Sequence, residues 1–344
     1  MQYNEGYEKD LIETFYNIVG SKYFLNKRVF ITGASGLIGS AIADTLLAAN
    51  KLLDSNFSIY LGGRNKDAME KRYYNYAKES VDYTFVSYEA AEELSFDADI
   101  DYIIHCASNA HPDKFAEEPV ETLMAAIIGT NNVLKFAKEH SAAVLYVSSS
   151  EVYGKKEVAE PYGEEEYLYI DILNPRACYP SSKRACETLC ASYLKEYDVD
   201  VKVVRPGHIY GPCITASDSR ANAQFARDVK EHKDIIMKSA GNQLRSYCYV
   251  LDCVSAMLSV LLVGKNGDAY NISNSDAIVT IRELAEMHAK LSGQRVVIED
   301  PSSLEKTGYN LMTCSALNSD KLEGLGWRGL YNLERGVRRT LDLI

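Results

Sequence analysis

Thr32-Gly33-Ala34-Ser35-Gly36-Leu37-Ile38-Gly39 follows an apolar run at 28–32 and opens a helical period over 38–53. Gly33, Gly36 and Gly39 give a GxxGxxG spacing at the junction. In a strand–turn–helix unit the first glycine permits the tight turn. The second lets the backbone approach a pyrophosphate, and the third lets the helix close on the sheet. The free N–H groups of the helix start then face the anion. The motif gains meaning from its place in the first βα unit of an alternating chain.

Working outward, 58–61, 83–86, 102–106, 143–148 and 201–204 read as strands, and 67–78, 120–139 and 176–197 as helices. Such alternation predicts an α/β fold with a parallel sheet covered on both faces. Upstream, Leu11, Ile12, Phe15, Ile18 and Val19 fall at helical spacing, which predicts a helix over 9–19. Past Arg205 the pattern is mixed, with helices expected near 223–232, 250–263 and 281–291 and short strands near 270–272 and 296–298. The reading divides the chain into a helical extension (1–26), a dinucleotide-binding domain (27–205) and a region that is mainly a smaller substrate lobe (206–344). The lobe is expected over the C-terminal strand ends, where doubly wound sheets bind ligands.

With 344 residues, 47% hydrophobic and 25% charged, the chain is long and apolar enough for a sizeable core. Its net charge of −11 disfavours nucleic acid as a partner, because phosphate binding draws on an excess of Lys and Arg. An anionic ligand therefore needs a few well-placed arginines. The eight cysteines form no CxxC pair and no zinc-like spacing, so reduced thiols and no metal site are expected. The acidic start lacks a signal-peptide pattern, and the apolar run at 254–263 is too short to cross a bilayer. A cytoplasmic location without membrane attachment is expected.

Tyr179-Pro180-Ser181-Ser182-Lys183 places Tyr179 and Lys183 four apart, on one helix face. A free tyrosine, with a pKa of about 10, is a poor base at neutral pH, and a neighbouring ammonium is expected to lower that value. Ser148-Ser149-Ser150-Glu151-Val152-Tyr153-Gly154 follows the fifth strand, so Ser149 emerges at the sheet's C-terminal edge. Glu151 is either an acid–base group or a structural one. The second strand ends Tyr60-Leu61-Gly62-Gly63-Arg64-Asn65, without the acid that binds ribose hydroxyls. Arg64 in its place makes NADP as credible as NAD, or it stacks on adenine or faces solvent. Asn109 and His111 either face substrate or cap the next helix.

Taken together, TGASGLIG, SSSEVYG, YPSSK, Arg205-Pro206-Gly207-His208-Ile209-Tyr210-Gly211-Pro212 and Arg245-Ser246-Tyr247-Cys248-Tyr249-Val250-Leu251-Asp252 resemble the extended short-chain dehydrogenase/reductase family, its NAD-dependent epimerase/dehydratase group. The resemblance runs from about Lys27 to Leu341. It implies a Rossmann-type doubly wound parallel sheet with a C-terminal α/β lobe holding a nucleoside-diphosphate sugar, and a homodimer formed through helices that include the YxxxK helix. It implies Ser149, Tyr179 and Lys183 as catalytic residues, with Glu151 beside them. Cofactor contacts would be Gly33, Ser35, Gly36, Leu37, Ile38, Gly39, Arg64, Ala107, Tyr179 and Lys183. Substrate contacts would be Ser108, Ser150, His208, Arg220 and Arg245.

Asn174-Pro175-Arg176-Ala177-Cys178-Tyr179 with Lys183-Arg184 and Glu187-Thr188-Leu189 is similar to the UDP-glucuronate decarboxylases. Their YDEGK reads YPSSK here, the Asn of RxxNxxGP is His208, and the Asn expected before Gly129-Thr130 is Ala126. His208 is therefore either a substrate contact or a packed loop residue. The resemblance implies a transient 4-keto sugar and decarboxylation. A UDP-sugar 4-epimerase needs the same Ser149, Tyr179 and Lys183. A 4,6-dehydratase would want an acid where Ser150 stands. A net NADP-dependent reductase and a non-catalytic nucleotide-sugar sensor complete the alternatives.

Overall fold

The computed structural model describes residues 4–108, 112–156, 158–214, 218, 220–299 and 313–344. After helix α1 (Glu5–Tyr16), the strands β1 (Arg28–Thr32), β2 (Ser58–Gly63), β3 (Thr84–Ser87), β4 (Tyr102–His105), β5 (Ala143–Val147) and β6 (Val201–Pro206) lie parallel in one sheet. The helices between them are α2 (Leu37–Leu53), α3 (Lys66–Arg72), α4 (Tyr74–Lys78), α5 (Pro112–Glu117), α6 (Pro119–His140) and α7 (Cys178–Tyr197). The chain continues through β7 (His208–Tyr210), α8 (Ala221–Lys230), β8 (Ile235–Met237), β9 (Leu244–Tyr249), α9 (Val250–Val263) and β10 (Ala269–Ile272). It then forms β11 (Ile278–Thr280), α10 (Ile281–Ser292), β12 (Val296–Ile298), β13 (Cys314–Ser315), α11 (Asp320–Glu323) and α12 (Leu333–Leu343).

The main sheet has seven strands in the order β10-β6-β5-β4-β1-β2-β3. Its strands are apolar on both sides because both faces are covered. Ile31, Leu61, Ile104 and Leu145 pack with α1, α2 and α9 on one face. Phe30, Ile103, Val144 and Tyr146 pack with α6 and α7 on the other. The smaller lobe centres on β9, which pairs with β11, β13 and β7, while β8 pairs with β12.

The seventh strand, β10, and the covering helix α9 come from beyond residue 205, so the main sheet draws on both parts of the chain. Tyr7, Leu11 and Phe15 of α1 are buried in the core. One element departs from the sequence reading. The helix expected over 67–78 breaks at Tyr73, whose backbone leaves helical geometry (φ −104°, ψ 15°). The Tyr73 side chain is fully buried and its hydroxyl donates to the Ala34 carbonyl at 2.7 Å, so tertiary bonding to the glycine loop overrides helical continuity.

Candidate active site

The glycine loop is shaped by close backbone approach. Gly33 has a φ of +67°, and a Cβ there would stand 2.9 Å from both N and Cα of Ala107. A Cβ on Gly39 would stand 2.4 Å from the Gly33 carbonyl oxygen. Gly36 is the N-cap of helix α2 and supplies no side-chain cap, which leaves the first-turn amides for an anion. Ser35 and Gly36 are exposed, and Leu37 and Ile38 are half-buried beside them. Such a cradle fits a dinucleotide pyrophosphate.

Beside the loop, Thr32 Oγ1 accepts from the Ala107 amide at 3.1 Å and lies 2.7 Å from His105 Nδ1. Burial pushes the His105 pKa down to about 3, so this ring is a neutral brace between β1 and β4. Ala107 is half-buried and Ser108 exposed at the end of β4. Asn109 and His111 lie outside the described residues. Arg64 is exposed just past β2, where the chain offers no carboxylate.

The end of β5 and the first turns of α7 bring Ser149, Tyr179 and Lys183 together. Ser149 caps the short 3-10 turn Ser150–Tyr153, its hydroxyl accepting from the Glu151 amide at 3.2 Å. Ser150 and Glu151 are half-buried on that turn. Lys183, 3% exposed, donates from Nζ to the Val147 carbonyl at 2.8 Å, pinning α7 to the strand end. Its pKa is lowered to about 8 by burial, and Nζ lies 5.8 Å from the centre of the Tyr179 ring.

The Tyr179 pKa runs against the sequence expectation: it is raised to about 12. Burial is the main cause, the Glu151 carboxylate adds to it, and the hydrogen bond with Ser149 and the charges of Arg176 and Arg220 pull it down. Desolvation of the phenolate outweighs the neighbouring cations.

Two residues here escaped the sequence reading. Arg176 donates from Nη1 and Nη2 to Glu151 at 3.0 and 3.1 Å, so Glu151 is held by a guanidinium. Phe115, on α5, stacks on Tyr179 with ring centres 4.4 Å apart and planes 14° apart. Arg176 carried a local signal, standing one helical turn before the tyrosine. Phe115 carried none, because only the fold brings α5 to α7.

The smaller lobe contributes three further groups. Arg245, 4% exposed on β9, donates to the Leu244 carbonyl at 2.9 Å. Arg220 is bonded to Asp218 through Nε at 2.8 Å. His208 Nδ1 is buried without a hydrogen-bond partner among the described residues. Burial first, then Arg245 and Arg220, hold the His208 pKa down at about 3, so the ring is neutral. The charge of Arg220 bears on both His208 and Tyr179. Among the described residues no cluster of His, Cys, Asp and Glu can hold a metal ion, and no helix is long and apolar enough to cross a membrane.

The NAD dependent epimerase/dehydratase family model matches residues 29–273. The chain is 30% identical over 318 residues to UDP-glucuronic acid decarboxylase 6 of Arabidopsis thaliana, covering 92% of this chain and 89% of that one. It is 28% identical over 320 residues to UDP-glucuronic acid decarboxylase 1 of Danio rerio, covering 92% and 72%. The solved structure of UDP-glucuronic acid 4-epimerase from Bacillus cereus, in complex with UDP-glucuronic acid and NAD, superimposes with a TM-score of 0.74 at 22% identity, covering 92% of this chain and 98% of that one.

Proposed function

Because the chain belongs to the NAD-dependent epimerase/dehydratase family, we propose that it remodels a nucleotide-sugar through a transient 4-keto sugar, and that the reaction is decarboxylation of UDP-glucuronate with NAD recycled in each turnover. The observation that carries the reading is the junction of β5 and α7, where Tyr179 lies beside Ser149 and the buried Lys183, and Glu151 is held next to them by Arg176. The relatives aligned over nine-tenths of the chain are named as decarboxylases of this substrate.

Bound NAD supplies the acceptor for the C4 hydride and then its donor. Tyr179 takes the C4 hydroxyl proton, and Ser149 steadies the same oxygen. Lys183, fixed on the Val147 carbonyl, presents its charge to the nicotinamide ribose and the phenol. The ketone formed at C4 lies β to the carboxylate, so carbon dioxide leaves with the bonding electrons delocalised into that ketone. Glu151 is the group we assign to the proton returning at C5. Neutral His208, Arg245 and Arg220 face the diphosphate, and Ser108 and Ser150 the sugar. With no acid after β2 and Arg64 exposed, the adenosine ribose is held without a carboxylate there, and NADP is the second cofactor to test. We further propose a cytoplasmic homodimer paired through helices that include α7.

Mass spectrometry after incubation with UDP-glucuronate, without added cofactor and then with NAD or NADP, tests the reading. Loss of carbon dioxide supports it. An unchanged mass with a new retention time makes the enzyme a 4-epimerase instead. Conversion only with stoichiometric cofactor makes it a net dehydrogenase.

A further inference from the structure

Four side chains form a continuous column at the site: Glu151, Arg176, Phe115 and Tyr179. Both Arg176 donors engage Glu151, and the Arg176 guanidinium carbon lies 4.7 Å from the centre of the Phe115 ring. Phe115 in turn stacks on Tyr179, 4.4 Å away and nearly parallel. Its backbone is tied as well, since Cys178 Sγ donates to the Phe115 carbonyl at 3.8 Å. Phe115 is 1% exposed.

We propose that Phe115 is a positioning residue for the reaction, its ring holding Tyr179 in line and its contact with Arg176 holding Glu151 in place; this rests on the reading of Tyr179 as the base. The hydrogen bond with Ser149 restrains only the tip of the tyrosine. Swinging of the whole ring about its first side-chain torsion is opposed by a flat surface against its face, which Phe115 supplies. An aliphatic residue of similar bulk would fill the space without fixing the plane. The same ring gives the Arg176 guanidinium a face to rest on. Arg176 and Glu151 are 42% and 30% exposed, so their pairing alone is a weak restraint in water. The groups that face the phenol are Glu151, Arg176 and Arg220, with Ser149 bonded to it and Lys183 beside its ring.

The test uses F115L, which keeps apolar bulk without a flat face, F115Y, which keeps the face, and R176Q. F115L is expected to lower kcat about tenfold with KM within about twofold, as small misplacements of a reacting group do. F115Y is expected to restore most of that loss. R176Q is expected to move the phenol's limb of the kcat profile to higher pH, because Glu151 still faces Tyr179 but has lost its counter-charge. Carbon-13 NMR of Cζ-labelled tyrosine, with the signal assigned by Y179F, reads the same shift without turnover. A wild type inert toward every nucleotide-sugar would overturn the functional reading, and the NMR titration would still judge the column. Wild-type kcat in a folded F115L, no advantage of F115Y over F115L, or an unmoved Tyr179 titration in R176Q would each overturn the proposal.

Discussion

A phenol held near 12 by burial and by Glu151 is protonated at neutral pH, so the base role proposed for it requires that its proton be drawn off within the assembled complex. Y179F should therefore lose about 10²- to 10⁴-fold in kcat, the usual worth of a positioned acid–base group, with a far smaller change in cofactor affinity. Single-turnover kinetics beside a cofactor titration check both halves. Gly33 makes a different residue-scale prediction. G33A combines a left-handed φ of +67° with a 2.9 Å approach to the Ala107 backbone. It should weaken cofactor binding, read by calorimetry, more than it lowers the thermal midpoint. The tight glycine loop and the helix that carries Tyr179 and Lys183 were legible in the sequence because their spacing is local. The direction of the Tyr179 shift was not, because it depends on how much water the finished fold excludes. Phe115 was silent for the same reason, since its partner is reached only through the fold.

At the scale of elements, strand and helix order could be read from apolar patterning, and β1 falls where that patterning put it. The break between α3 and α4 could not, because it serves contacts elsewhere. Arg72, at the end of α3, pairs with Asp44 on α2, and Tyr7 of α1 donates to the same carboxylate at 3.0 Å. Asp44 is fully buried, and burial raises its pKa against the pull of Arg72 and Tyr7. D44A would remove the buried carboxylate that Arg72 and Tyr7 share and should cost about 3 kcal/mol of stability, measured by urea unfolding. The start of α9 offers a pH test. Asp252 is fully buried and accepts from the Leu330 and Tyr331 amides and from Asn274 Nδ2. Burial raises its pKa to about 6 despite these donors. Between about pH 4 and about 6 the folded state thus holds a proton that an ordinary carboxyl has lost. Its stabilising contribution is complete below that window and lost as pH rises through it. D252N should flatten this part of the stability–pH curve, whatever it does to overall stability.

Across the whole molecule, the first and last helices are joined. Arg339 pairs with Asp10 and Arg335 with Glu13, so α12 grips α1 while α1 packs on the face that carries α2 and α9. Sequence periodicity announced α1 but not its place, since the partners lie at the far end of the chain. Deleting residues 1–20 should therefore act on the core, through loss of Tyr7, Leu11, Phe15 and Ile18, and lower the thermal midpoint rather than merely trim an appendage.

The late arrival of β10 bears on how the protein is made. A ribosome that has delivered β6 still has the whole 207–268 stretch to add before that strand gains its outer neighbour. All six residues of β6 are buried in the finished molecule. Until then its unpaired amides and carbonyls form a raw margin open to any other chain. A nascent or prematurely terminated polypeptide ending near residue 205 should consequently sediment as aggregate instead of accumulating as a free-standing nucleotide-binding unit, and chaperone demand during synthesis should peak over that interval.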